Sequence, residues 1–346
     1  MKERLIYVVL IIGLLIAVAF SLGLGAVKIP VGDVILILLK KLRFYTGRQL
    51  DPQYEGVISI VRLPRVLLGV MVGAALGVSG AAIQGIFRNA LAEPGLIGIS
   101  SGASLMAVLI IALEVPVLAG LSKVLGYYLI AFGAFAGAAL AAWIVYQYAK
   151  SEGKASIATM LLAGIAINAM AGALTGLVTY MADEQQLRTI TFWMLGSLGG
   201  ATWDKVVSLV PFVLIPLVLL PFLSKGLNAF SLGEREADQL GMRTDKIKLQ
   251  VVLLSTMAVG SSVAVSGIIG FVGLLVPHMV RLIGGMDNHY VLPASAISGA
   301  LMLTLADMLS RTLIAPIELP IGVITALLGT PVFLYILKRD QKKIAR

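Results

Sequence analysis

SKGLNAFSLGEREADQLGMRTDKIK, residues Ser224 to Lys248, lies between two long apolar runs. Glu234, Arg235, Glu236, Asp238, Arg243, Asp245, Lys246 and Lys248 crowd its second half, in a chain with only 13% charged residues. The stretch is too long for a bare turn and too short for a domain. Ser231 and Asp245 suit helix N-caps, since their side-chain oxygens can accept a free backbone N–H. Gly233 and Gly241 bracket a single short helix, Glu234–Leu240, with Gly241 as its C-terminal stop. Two readings are open: a solvated connection between spans, or a surface on which a second protein pushes.

The rest of the chain decides what the island is embedded in. Of 346 residues, 59% are hydrophobic, whereas soluble domains carry about 45–50% apolar and about 25% charged residues. The apolar stretches are continuous rather than alternating, which predicts membrane-spanning helices and not a barrel. There are no cysteines, which excludes disulfides and thiolate metal sites. His278 and His289 cannot cage a metal by themselves, so no metal site and no cofactor is expected. A net charge of +9 points to anionic headgroups of the bilayer. No aromatic residues interleave with a basic patch, so nucleic acid is not an expected partner.

The expected architecture is all-α, a single polytopic unit over residues 1–346 with ten spans. Leu5–Val27 is too long for the core of a signal peptide and is taken as a retained first span. Gly32–Arg43 is too short to cross and fits a helix lying at the interface. The second span opens at Arg62–Arg65 (RLPR) and ends near Gln84. Its Gly69, Gly73 and Gly77 recur every four residues, the spacing that lets helix backbones approach. Leu96–Leu113, Ser122–Tyr148 and Ile157–Tyr180 follow, with Gly133 and Gly137 as a second close-packing pair. Leu187–Leu198 reads as a short external helix and Trp203–Leu223 as the sixth span, bent by Pro211, Pro216 and Pro221. Ile247–Val265 is the seventh. Ser266–Arg281 is broken by glycines and Pro277 into a partial eighth, and Pro293–Arg311 and Pro320–Leu337 complete the set.

Ten spans put both termini on one side. Placing them in the cytosol agrees with the positive-inside tendency. The island, about residues 226–246, is then cytosolic, and Arg62, Arg65 and Arg311 emerge outside.

Few residues offer chemistry. No phosphate-binding Gly-x-x-x-x-Gly-Lys-Ser/Thr loop occurs, and neither does His-Glu-x-x-His. Asn168, Gly172, Thr175 and Thr179 fall on one helical face. Helix–helix hydrogen bonding and the lining of a pathway both explain that stripe. Asp307 has Arg311 four residues later on the same face, which favours a neutralising pair over a proton relay. The chain therefore reads as a transporter with no energy source of its own.

Arg62–Ala103, RLPRVLLGVMVGAALGVSGAAIQGIFRNALAEPGLIGISSGA, resembles the signature of the FecCD family. So do LGEREADQLGM (Leu232–Met242), GIIGFVGLLVPHMVR (Gly267–Arg281), ADMLSR (Ala306–Arg311) and ELPIGVITALLGTPVFLYIL (Glu318–Leu337). The family comprises permease subunits of type II ABC importers for iron–siderophores, haem and cobalamin. The resemblance implies ten helices per subunit, a homodimer, two cytosolic ATPase subunits and an extracytoplasmic substrate-binding protein. It implies no enzymatic step in this chain. Leu232, Gly233, Glu234, Arg235, Glu236, Ala237, Leu240 and Gly241 correspond to the helices that couple to the ATPase. Arg62, Arg65 and Arg311 match arginines that receive the binding protein, and the Asn168–Thr179 stripe matches the pathway lining. Ala90 stands where the family often has proline, which predicts a looser turn. An ion-coupled secondary transporter working through Asp307 is the alternative.

Overall fold

The computed structural model describes residues 2–25, 27–41, 51–113, 125, 127–151, 154–315 and 317–344. Its helices in chain order are α1 (Lys2–Gly23), α2 (Val31–Lys41), α3 (Pro52–Gly56), α4 (Leu63–Phe87), α5 (Ile99–Leu113), α6 (Tyr127–Ala149), α7 (Ile157–Met181) and α8 (Glu184–Leu195). Then come α9 (Trp203–Phe222), α10 (Ser224–Leu232), α11 (Glu234–Gln239), α12 (Thr244–Ser266), α13 (Val272–Gly284), α14 (Asn288–Thr312) and α15 (Ile321–Ile344). A π-helical segment, Val57–Arg62, joins α3 to α4, and a 3₁₀ turn, Pro94–Ile97, precedes α5. A two-stranded antiparallel hairpin, β1 (Lys150–Ser151) and β2 (Lys154–Ala155), links α6 to α7.

Helix is the expected solution where no water can satisfy backbone N–H and C=O groups. Seven helices among the described residues are long and apolar enough to cross a membrane. Three shorter apolar ones, α5, α13 and the Ile321–Ile336 part of α15, bring the set to the expected ten. The start of the fourth expected span, about residues 122–126, lies largely outside the described residues, as does the end of the Gly32–Arg43 helix.

The span containing α4 is the centre of the bundle: 83% of its apolar window is buried, against 17% for α1 and for α7. Its most extensive partner is α14, which runs antiparallel to it. Gly73 meets the backbone at Gly299, and Gly77 meets the carbonyl of Ser295. A methyl group at Gly77 would collide with that oxygen, so the glycine spacing serves packing inside one subunit. Apolar burial gives helices little reason to associate in lipid, and close backbone contact supplies the dispersion that holds this pair. Gly137 and Gly102 make the same kind of contact between α6 and α5.

The external helix is displaced from its expected place. Asp183 and Gln186 form a capping box that starts it at Glu184. It stops at Gly196, whose φ of +71° few other residues adopt. There the Gly196 carbonyl accepts from the Ile321 amide at 3.1 Å, and Ser197 donates to the Ser266 carbonyl at 2.7 Å. The ends of α8 and α12 and the start of α15 thus converge on one junction. The eighth span is broken as expected: Gly267 to Gly270 is non-helical and Phe271 adopts a left-handed conformation before α13.

Candidate functional site

The island folds as two helices rather than one. Gly233, with φ +140°, separates α10 from α11 and serves as the N-cap residue of α11. Ser231 is not a cap; it lies in the last turn of α10 and its hydroxyl donates to the Asn228 carbonyl. Asp245 is not a cap either. It sits in the first turn of α12 and accepts the Ala155 amide at 3.1 Å. Gly241 ends the element at φ +79°. Ala237 is buried and anchors α11, whereas Leu232 and Leu240 are exposed at its two ends, 64% and 62%. Glu234 turns inward to Lys248, whereas Arg235 is exposed. Thr244 donates to Asp238 at 2.6 Å, closing the stretch back on itself.

At the opposite end of α4 the three arginines are buried, not displayed. Arg62, Arg65 and Arg311 expose 5%, 8% and 9% of their surface. The α4–α14 register that pairs Gly73 with Gly299 brings Arg65 to Asp307 two turns further on. Arg65 Nε donates to Asp307 Oδ1 at 2.9 Å and its Nη1 to both Glu318 oxygens at 2.8 and 2.9 Å. Arg311 Nε lies 3.0 Å from Asp307 Oδ2, so the expected i,i+4 pair is present and Arg65 completes it. Arg311 also donates to Ser21 Oγ at 2.6 Å, and Arg62 to the carbonyls of Leu22 and Val27. These are the last carbonyls of α1 and the loop beyond it, which have no partner within the helix. Glu318 remains the open edge of the cluster, with 48% of its side chain exposed.

Between the two ends lie two adjoining cavities that share Ser100, Ser101 and Ile268. One, of about 530 Å³, is walled by Gly172, Thr175 and Thr179 together with Ser104 and Met194. The other, of about 280 Å³, is lined by Asn168, Glu93, Gly95 and Phe271. The Asn168 stripe packs against other elements at one end and borders a cavity along the rest. Asn168 accepts from Ser101 Oγ and donates to the Gly95 carbonyl at 3.0 Å, which is helix packing. A methyl on Gly172 would meet nothing within 4 Å, so that part of the stripe faces open space. Thr179 donates to the Thr175 carbonyl within its own helix. Burial raises the Glu93 carboxyl above the usual range. No cation pairs with it among the described residues. The turn before it is closed by Asn89, which accepts the Leu91 amide at 2.9 Å, so Ala90 does not leave it open.

Gly98–Gly102, GISSG, has the spacing of a hydrolase nucleophile elbow. Ser100 and Ser101 stand in the first turn of α5 on cavity walls that carry no histidine, so the acyl-transfer constellation is not assembled there. No group of three or more His, Asp or Glu side chains suited to a metal occurs among the described residues.

The model of the FecCD transport family matches residues 13–339. The chain belongs to the FecCD transport family. Its relatives include the hemin transport system permease protein HmuU of Yersinia pestis, 45% identical over 82% of this chain and 83% of that one. The Fe(3+)-citrate import system permease protein YfmE of Bacillus subtilis is 37% identical over 99% and 98%. The cobalamin import system permease protein BtuC of Halobacterium salinarum is 38% identical over 83% and 74%. A solved structure of a metal-chelate type ABC transporter in an inward-facing conformation superposes with a TM-score of 0.83 at 31% identity, covering 97% of this chain and 99% of that one. This FecCD chain is a multi-pass membrane protein and a permease of the ABC-importer kind.

Sequence reasoning passed over Lys248 and Glu318. Lys248 was one more charge on the island, although its i,i+3 spacing from Asp245 was readable. Glu318 precedes Leu319-Pro320 just outside a span, and only the chain's return from α14 to α15 brings it onto Arg65.

Proposed function

We propose that the chain is one half of a homodimeric importer for an iron chelate, siderophore or haem, or a related metal complex such as cobalamin. Two ATPase subunits engage the island from the cytosol, through Leu232, Gly233, Glu234, Arg235, Glu236, Ala237, Leu240 and Gly241. ATP is hydrolysed in those subunits, and both termini of the permease are cytosolic. A substrate-binding protein docks at the opposite end, on the face framed by Arg62, Arg65 and Arg311. There the arginines act by fixing the ends of α1, α4 and α14 and by sharing the Arg65 charge with partly exposed Glu318. Cargo passes along Asn168, Gly172, Thr175 and Thr179, and a second copy of the chain completes the wall.

The observation that carries this reading is the placement of a compact charged helix pair and an arginine cluster at opposite ends of α4, with a hydroxyl-lined cavity between them. Relatives named for hemin, ferric citrate and cobalamin support the cargo class. Asp307 is 2% exposed and held by two guanidinium groups, an arrangement that opposes proton exchange and weighs against ion coupling.

The test is reconstitution of the permease in proteoliposomes with a candidate ATPase and a candidate binding protein, supplied with haem, ferric citrate or cobalamin. ATP-dependent uptake of one of these, lost on joint Glu234→Ala and Arg235→Ala substitution in a still-assembled complex, is the expected result. Uptake driven by a proton gradient without any ATPase overturns the reading.

A further inference from the structure

Lys248, in the second turn of α12, has no exposed surface. A buried ammonium costs several kcal/mol in lost hydration unless oxygens take up its protons. Here oxygens from three elements do so. Glu234, the first residue of α11, accepts at 2.5 Å, and Asp245 of α12 lies at 3.0 Å. The third is the carbonyl of Ala155 in β2. Asp245 also accepts the Ala155 amide, so side chains of α12 grip both backbone polar groups of that residue. Ser156 comes next and caps α7 by accepting the Thr159 amide at 3.3 Å. A second ion pair joins the same elements, Lys154 to Asp238 at 3.7 Å, but those side chains are 73% and 38% exposed. Solvated pairs of that kind contribute little, about 0–1 kcal/mol. The buried contact is the strong one.

We infer that Lys248 is a positioning residue that makes α11, the start of α12 and the start of α7 move as one piece. The inference rests on the proposed docking of an ATPase on α11. Displacing Glu234 then displaces Ala155, one residue before the cap of the helix that carries the Asn168–Thr179 stripe. An α-helix transmits such a shift as a rod, and Ser156 stands about 28 Å from Thr175 along the axis. α7 packs on α5, α6 and the 3₁₀ turn rather than on the central α4–α14 seam, so it can tilt without parting that seam.

The test uses the assembled transporter in proteoliposomes, with Thr175→Cys introduced into a chain that has no cysteine. A membrane-impermeant maleimide reads the exposure of that thiol with and without ATP. In the parent, labelling changes between states by at least about fivefold, the low end of ordinary allosteric coupling. With Lys248→Met the change shrinks below about twofold while ATP hydrolysis continues, and uptake per ATP falls with it. Glu234→Gln shifts labelling in the same direction and adds nothing in the Lys248→Met background, because both break one link. If Lys248→Met does not assemble, Glu234→Gln carries the test, since a third of that side chain is already exposed. State-dependent labelling that survives in both variants overturns the inference, as does a loss of labelling change strictly proportional to lost hydrolysis. If the parent itself shows neither ATP-driven uptake nor a labelling change, the ATPase reading falls, and the link with it.

Discussion

At one end of α4, Arg65 and Arg311 share the carboxylate of Asp307; at the other, Glu234 and Asp245 share the ammonium of Lys248. Both clusters bury a charge between two partners of opposite sign, yet the parts they join differ. The arginine cluster fastens α1, α4 and α14, and two of those already touch backbone to backbone at Gly73 and Gly77. The lysine cluster fastens a short helix, a hairpin and the start of a long helix, which share no such seam. The side chains match the tasks. A guanidinium is a planar fork that fixes the direction of its carboxylate, whereas an ammonium is a point charge that tolerates rotation. Arginine suits a joint that holds still, and lysine one that turns.

Three substitutions test that contrast, the largest effect first. Asp307→Ala leaves two buried guanidinium groups without a carboxylate between them and should cost about 3–5 kcal/mol, the range for breaking a buried pair. Thermal unfolding in detergent should show it as a marked loss of folded protein, with uptake per ATP unchanged in whatever survives. A variant of normal stability that fails only in proton-driven uptake would instead make Asp307 a relay.

Glu93 comes next, a half-buried carboxyl that no cation holds among the described residues. Its proton is bound more tightly folded than unfolded, so its contribution is fully present below the ordinary glutamate pKa of about 4.3 and is lost as pH rises through the raised value. Glu93→Gln should therefore match the parent in acid and exceed it in melting temperature towards neutral pH. A constant difference at every pH would mean that the charge is compensated after all.

The smallest effect belongs to Glu55→Gln. Its partner Lys40 is 2.8 Å away, but both side chains are a third or more exposed. The loss should stay within about 0–1 kcal/mol and disappear in high salt. A loss rivalling that of Asp307→Ala would show that burial is not what separates strong clusters from weak ones here.

How much of this was legible depended on whether the cause lay within one helix. Gly73 and Gly77 announced a close-packed face, and Asp307 and Arg311 announced a pair, because helical spacing alone decides both. That Arg65 completes the pair needed the α4–α14 register, which nothing local to residues 62–87 encodes. The arginines were expected at an open rim for the same reason: the span count placed them at an end without saying that the last carbonyls of α1 close over Arg62 and Arg311. In the island, the density of charge is visible in the sequence, but the Gly233 that flanks one expected helix divides two. Lys248 was indistinguishable from its solvated neighbours until the hairpin before α7 folded over it.

The π-helical turn at Val57–Arg62 governs where the chain tolerates a change of length. Such a turn takes up one residue more than the α-helix it interrupts. A residue added or lost before Val57 can be absorbed there, and the Ser59 carbonyl in that turn is tethered by Trp203 Nε1 at 3.0 Å. A residue added or lost after Leu63 has no such slack. It rotates everything beyond it by about 100° and swings the glycines off their seam. Variation in length should therefore gather on the amino-terminal side of Val57 and stop there.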